Sequence, residues 1–466
     1  LIIFNMNSRA SVDPENQISK STASVILIFS LFLVGGIISA GNINSGLNRR
    51  YPPYVKKSRA RVIIGKIARY FLVLLLILLL CTGLMVSYII LEPNSPSTFE
   101  VVFPTYSLFY AFAFLSLGVM ILKLLDINRI RIMNIIVLIL TIIIFAVCIL
   151  PFASTPVLLA NAQKSYSAAF GDEYLTNRIF KNEHFRQTRF SIPEYFYGTR
   201  SRPYHIQRDV LFYKGTEGTD KGIELYFDVY TPQADAGTLP GGNSVLIRLH
   251  GGGWVAGDKG EANFAQMNKY FAGQGYVVFD VQYGLTKLHP DYDAQKMKAG
   301  RYGDFTINDM VRHIGKFTVY LAKNSGKYNA NIESVFFSGH SAGGNLALAS
   351  GLGLASGMYA DALDSRIKVK GFIPFYPANE IPRNYEFGGS EGFVYPGTLV
   401  SSDTPPSLIF QGSHDGIVSP RIAERFRTAY LEKGSRKCAI LLMPFGDHSA
   451  DMYFSGFYNQ TFLYYM

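Results

Sequence analysis

Cysteine is scarce in this chain, with Cys81, Cys148 and Cys438 among 466 residues. Two fall inside apolar runs and the third stands alone, which excludes a disulfide framework and any spaced thiol metal site. Acidic residues are scarce in one region only. Up to residue 152 there are five Asp and Glu against 13 Lys and Arg; the rest of the chain carries 29 against 31. Most of the net charge of +10 is therefore local to the first third. It lies beside long apolar runs and lacks the aromatic interleaving that stacks bases. Anionic lipid headgroups are the expected partner, and nucleic acid is not.

What the chain has in excess is apolar length. Hydrophobic residues make up 48%, and the mean hydropathy is +0.15. Four runs carry the surplus: Thr22–Gly41, Ile67–Leu91, Thr105–Leu125 and Ile132–Phe152. Each approaches the ~20 residues that cross a bilayer core. For the first, a signal peptide cut near Ser39-Ala40-Gly41 is the competing reading. Arg49, Arg50, Lys56, Lys57, Arg59, Arg61, Lys66 and Arg69 cluster between the first two runs, and Lys123, Arg129 and Arg131 between the last two. Basic loops stay cytoplasmic, so four spans would leave both ends and everything after residue 152 extracytoplasmic. The organisation expected is a membrane region over 1–152, a helical connector over 153–204 and a separate unit over 205–466.

That last unit reads as an α/β fold. Eight strand-like runs, at Asp209–Tyr213, Ile223–Tyr230, Ser244–Leu249, Tyr276–Val281, Ser334–Phe337, Val369–Phe375, Ser407–Gln411 and Ala439–Met443, have helical stretches between the later ones. The pattern predicts a mostly parallel sheet with helices on both faces. Sites in such sheets lie beyond the C-terminal ends of strands.

Chemistry-bearing residues stand at those ends. Gly339-His340-Ser341-Ala342-Gly343 follows one strand and opens a small-residue helix, the strand–turn–helix setting that exposes a nucleophilic serine. His250-Gly251-Gly252-Gly253-Trp254 follows another. No phosphate-loop pattern is formed there, and consecutive glycines can aim amides at a developing oxyanion. Gly252, Gly253 and Ala342 are the expected donors. Asp415 follows the seventh strand and His448 the eighth, giving the order Ser, Asp, His. His448 would be the base and Asp415 its orienting acid. Asp403, Asp447 and Asp451 are weaker candidates for the acid. His414 reads as a loop neighbour, and His250 and His340 as residues holding backbone. Long aromatic-rich loops, Leu285 to Gly303 and Tyr376 to Leu399, are candidates for pocket walls.

From about residue 205 onward the chain resembles α/β-hydrolases of the esterase/lipase group. It is most similar to the hormone-sensitive-lipase-like and acetyl-esterase (BD-FAE-like) carboxylesterases. The resemblance rests on His250-Gly251-Gly252-Gly253-Trp254, Gly257-Asp258, Phe279-Asp280-Val281-Gln282-Tyr283, Ser341-Ala342-Gly343-Gly344-Asn345 and Thr404-Pro405-Pro406-Ser407. It implies a serine hydrolase acting on small-molecule or lipid-like esters, with no metal and no cofactor. An acyltransferase with a sugar, lipid or amine acceptor, or a non-catalytic ligand-binding receptor, would carry the same residues.

Overall fold

A computed structural model describes residues 59–93, 103–125, 131–173, 185–234, 236–261, 264–293, 300–359 and 361–466. The first apolar run, Thr22–Gly41, lies outside the described residues. The other three form helices long and apolar enough to cross a membrane. They are α1 (Arg59–Leu91), α2 (Ser107–Leu124) and α3 (Arg131–Ala153). Branched and bulky residues such as Leu75, Leu79, Ile135 and Ile139 face outward. Small residues let the backbones approach inside. A Cβ on Gly118 would fall 2.0 Å from Thr141 Oγ1, and one on Gly83 would fall 2.8 Å from Ile144. At one end of this helix unit the Arg69 Nε donates to the Leu124 carbonyl at 2.5 Å. The other end meets the sheet.

The eight expected strands are all present, two with the bounds read from the sequence and six shifted by a few residues. They are β1 (Tyr204–Lys214), β2 (Glu224–Pro232), β3 (Ser244–Leu249), β4 (Val277–Val281), β7 (Asn331–His340), β8 (Val369–Phe375), β9 (Ser407–Gly412) and β10 (Cys438–Met443). Two further short strands, β5 (Leu285–Thr286) and β6 (Tyr302–Gly303), pair only with each other. The large sheet runs β1-β2-β4-β3-β7-β8-β9-β10. Pairings β1/β2 and β2/β4 are antiparallel, and the remainder are parallel.

Side chains alternate across the sheet with period two, so each strand feeds two cores. Val245, Ile247 and Leu249 of β3 join one apolar cluster; Leu246 joins the other. The first face is covered by α7 (Ile307–Asn324), α8 (Ala342–Ser356), α9 (Glu391–Val394) and α10 (Pro420–Glu432). The second takes α4 (Thr155–Phe170), α5 (Ile192–Tyr197), α6 (Ala265–Gly273) and the C-terminal α11 (Phe457–Tyr465). The helix α7 starts on a capping box, with Thr306 and Asp309 satisfying each other's backbone N–H. The connector helix α4 packs on the last strand: Leu158 is buried in the second core, and Ser165 Oγ donates to the Ile440 carbonyl at 2.7 Å. The aromatic C-terminal segment is likewise core, with Phe457, Tyr458 and Phe462 fully buried.

Candidate active site

The turn after β7 is built by close approach. A Cβ on Gly343 would fall 2.3 Å from the Leu249 and His250 carbonyls, and one on Gly339 would fall 2.2 Å from the Gly343 carbonyl. Only glycine fits at both positions. Ser341 between them takes φ 52° and ψ −118°, a conformation that costs a residue with a Cβ roughly 1–3 kcal/mol. Its amide donates to the Phe375 carbonyl at 2.9 Å, and its own carbonyl accepts from Ala378 at 3.1 Å and from Asn345 at 3.1 Å. The neighbouring strand and the new helix therefore hold the strained turn, leaving the side chain free above the sheet edge.

Parallel pairing of β3 with β7 sets Leu249 opposite Gly339, which brings the glycine loop alongside Ser341. A Cβ on Gly251 would lie 3.5 Å from the Cβ of Ser341. Gly252 has φ 108° and Gly253 φ 59°, and a small turn closes behind them as Ala256 donates to the Gly252 carbonyl at 2.9 Å. Among the described residues, none accepts a hydrogen bond from the N–H of Gly252, Gly253 or Ala342. The Ala342 amide is also the first of α8, where no intrahelical acceptor exists.

Strands β9 and β10 pair in register at Gly412 and Met443, so the loops beyond them run side by side. His448 Nδ1 lies 3.1 Å and 3.0 Å from the two oxygens of Asp415. Asp415 is 1% exposed and fully engaged. It accepts from the amides of Ile417 (3.1 Å) and Val418 (2.7 Å) and from Gln411 Nε2 (3.2 Å). A carboxylate can only accept, so in this contact Nδ1 carries the proton. The Tyr376 ring packs against the imidazole, 4.5 Å between centroids.

Of the expected residues, Gly252, Gly253, Ser341 and His448 line one cavity of ~670 Å³, together with Gly251, while Asp415 and Ala342 lie behind it. Trp254, Ile381, Tyr385, Ile417 and Val418 supply its apolar wall, and Arg248, Asp258 and Asp280 a polar recess. Burial holds the Asp280 carboxyl up at about 6. A second cavity of ~440 Å³ lies at the opposite strand ends, beside Asn243 and Asn329, and among the described residues no carboxylate lines it.

The other candidates sort themselves by partner. Asp403 is exposed. His414 Nδ1 bonds Ser413 Oγ at 2.8 Å, and its ring faces Phe445. Asp451 accepts from the Tyr376 hydroxyl at 2.7 Å and sits 3.0 Å from His340 Nε2. His340 thus holds a side-chain network that includes Arg248, not backbone as expected; burial lowers its pKa and Arg248 adds to the effect. His250 does hold backbone, with Nδ1 donating to the Gly251 carbonyl at 2.8 Å. Burial pulls its pKa down to about 4, which keeps the ring neutral.

Reading the sequence missed several supports. Gln411, which steadies Asp415, looks like any strand residue. His289 was unmarked too: it accepts the Asp291 amide on Nδ1 at 3.1 Å and stacks near Tyr385 in the same cavity. Of the aromatics expected as pocket walls, Tyr376 and Tyr385 line the cavity, whereas Phe387 and Phe393 are buried in the core.

Sheet order, the strained serine and the paired loops beyond β9 and β10 now meet an independent observation. Residues 227–387 match the BD-FAE family model. This unit has the α/β-hydrolase fold. BD-FAE is a hydrolase family, and the match covers the glycine loop and Ser341 of the hydrolase unit while ending before Asp415 and His448. Among curated proteins, none matches the chain. Solved structures of esterase 2 from Thermogutta terrifontis are similar to part of it. The form phosphorylated by paraoxon is 21% identical with a TM-score of 0.41, covering 53% of this chain and 84% of that one. The apo form is 21% identical with a TM-score of 0.41, covering 55% and 88%. The propionate-bound form is 21% identical with a TM-score of 0.40, covering 52% and 84%.

Proposed function

We propose that the protein is a membrane-anchored serine hydrolase that cleaves carboxylic esters through an acyl-enzyme on Ser341. One observation carries the reading: His448, bonded to both oxygens of Asp415, lines the same cavity as Ser341 and the glycine loop. In the proposed reaction Ser341 Oγ attacks the ester carbon while its proton passes to His448 Nε2. Asp415 keeps Nδ1 protonated and stabilises the imidazolium. The amides of Gly252, Gly253 and Ala342 take the oxyanion. Collapse breaks the C–O bond, and the leaving alcohol carries off the proton from Nε2. Water, deprotonated by the same nitrogen, then releases the acid and restores the serine. The apolar wall of the cavity suits the acyl or alcohol part of a small-molecule or lipid-like ester.

The helix unit supports anchoring in a bilayer, with 1–152 as membrane region, 153–204 as connector and 205–466 as catalytic unit. Lys66 and Arg69 of α1, Lys123 of α2 and Arg131 of α3 all belong to the helix ends opposite the hydrolase unit. Retention of basic ends in the cytoplasm therefore favours an extracytoplasmic catalytic unit. The deciding experiment is hydrolysis of short-chain p-nitrophenyl esters by the full chain and by Ser341→Ala. The substitution is expected to abolish turnover, and retained activity would refute the assignment.

A further inference from the structure

The loop that carries His448 is held from two directions. On the sheet side, Asp451 bonds Tyr376 and His340. The far side lies against the helix unit. Tyr453, five residues beyond His448, stacks on Tyr106, the residue just ahead of α2, with centroids 4.9 Å apart and planes at 30°. It stands edge-on to Phe109 at 6.3 Å and to Tyr195 at 5.2 Å. The Tyr453 hydroxyl donates to the Tyr195 carbonyl, and the Tyr195 hydroxyl donates to the Thr105 carbonyl at 3.2 Å. At the loop's end a Cβ on Gly456 would sit 3.2 Å from Thr105 Oγ1. At its start, Phe445 packs on the apolar cluster of α1, α2 and α3.

This is a packed joint. Tyr195 is fully buried and Tyr106 nearly so. Each anchor comes from a different part of the chain, so the loop has the helix unit as one of its walls. Asp415 fixes the imidazole through Nδ1, but where the ring stands relative to Ser341 depends on the backbone that bears it. Misplacing a catalytic group by about 1 Å can cost ~100-fold in rate.

We propose that Tyr106 is a positioning residue: through Tyr453 it holds the His448 loop, so the hydrolase unit reaches full turnover only when docked on the helix unit. The inference rests on reading His448 as the base. It assigns the apolar helices a part in catalysis beyond anchoring.

The test uses the full chain in nanodiscs with Tyr106→Ala and Tyr106→Phe. Among the described residues the Tyr106 hydroxyl has no hydrogen-bond partner, so phenylalanine should keep the stack and behave as wild type. For Tyr106→Ala, amide exchange should rise in residues 445–456, kcat should fall about 10- to 100-fold with KM within about twofold, and fluorophosphonate labelling of Ser341 should slow in step. Should the alanine variant fail to fold, Tyr106→Leu keeps the bulk without the ring and is expected to show the same split. Unchanged loop exchange, unchanged kcat or an effect on KM alone would each overturn the proposal. So would a Tyr106→Phe variant as impaired as Tyr106→Ala. Amide exchange reads the joint without reference to turnover. A wild-type chain whose Ser341 neither labels nor turns over would count against the hydrolase reading instead.

Discussion

Asp415 grips His448 with both carboxylate oxygens, at 3.1 and 3.0 Å, while two backbone amides and Gln411 hold the carboxylate in place. An amide side chain cannot reproduce this. Asp415→Asn would offer Nδ1 one oxygen and one competing donor, favouring the wrong imidazole tautomer. The expected result is a loss of about 10⁴-fold in kcat, the scale of the same substitution in a serine-protease triad, with KM little changed. Steady-state kinetics on a short p-nitrophenyl ester would check it; a loss below tenfold would exclude the role.

The two glycines proposed as oxyanion donors, Gly252 and Gly253, differ in how much room they have. A Cβ on Gly252 would fall 2.2 Å from the Ala256 carbonyl at φ 108°, whereas one on Gly253 would meet, among the described residues, only His289 Nε2, at 3.9 Å. Gly252→Ala should therefore distort the loop and cost about 10²–10³ in kcat, the worth of one oxyanion donor. Gly253→Ala should cost less, through its φ of 59° alone. Equal losses from the two would contradict the assigned geometry.

Stability should fall on acidification. His250 is buried neutral, with its pKa brought from 6.5 to about 4. Between these values the unfolded chain binds the proton and the folded chain does not, so stability is intact above about pH 6.5 and is lost as pH falls towards 4. His313 and His340 are shifted in the same direction by burial. Asp280 opposes them: raised to about 6, it favours the folded state as pH falls through the same window. Glu261, raised to about 7 by burial, acts with Asp280, while burial shifts His289 and His414 down like the other three; five imidazoles against two carboxyls predict a net decline. Thermal unfolding between pH 7 and 4 would measure it, and His250→Asn, which can still donate near the Nδ1 position, should flatten the slope.

Tyr376 gives a test that separates support from chemistry. Its hydroxyl serves buried Asp451, and its ring serves His448. Tyr376→Phe keeps the ring and strips one bond from a buried carboxylate. It should cost about 1–3 kcal/mol of stability, with KM unchanged. Chemical denaturation of the full chain would read the change, and an unaltered midpoint would show that the bond contributes nothing.

The strands were legible because apolar runs bounded by Gly, Pro and Asn mark them locally; Ser244–Leu249 and Val369–Phe375 were read to the residue. The turn at Ser341 was legible because it tolerates only glycine at 339 and 343, a constraint written within five consecutive letters. The order Ser341, Asp415, His448 followed from strand ends. The supports around those residues were not legible. That His340 would face Asp451 and Arg248, or that Gln411 would steady Asp415, depends on which strands are neighbours in the sheet. Nothing local separates those side chains from ordinary core or loop residues.

The amino-acid order alone determined the two kinds of unit, since long uncharged runs can be satisfied only by apolar surroundings and alternating ones only by a half-buried sheet. Tertiary structure decided how they meet. Tyr106 and Tyr453 lie almost 350 positions apart by number, and an aromatic ring carries no mark of the ring it will stack on. That contact exists because the sheet delivers the His448 loop to the end of the helices, a long-range outcome that no local pattern encodes.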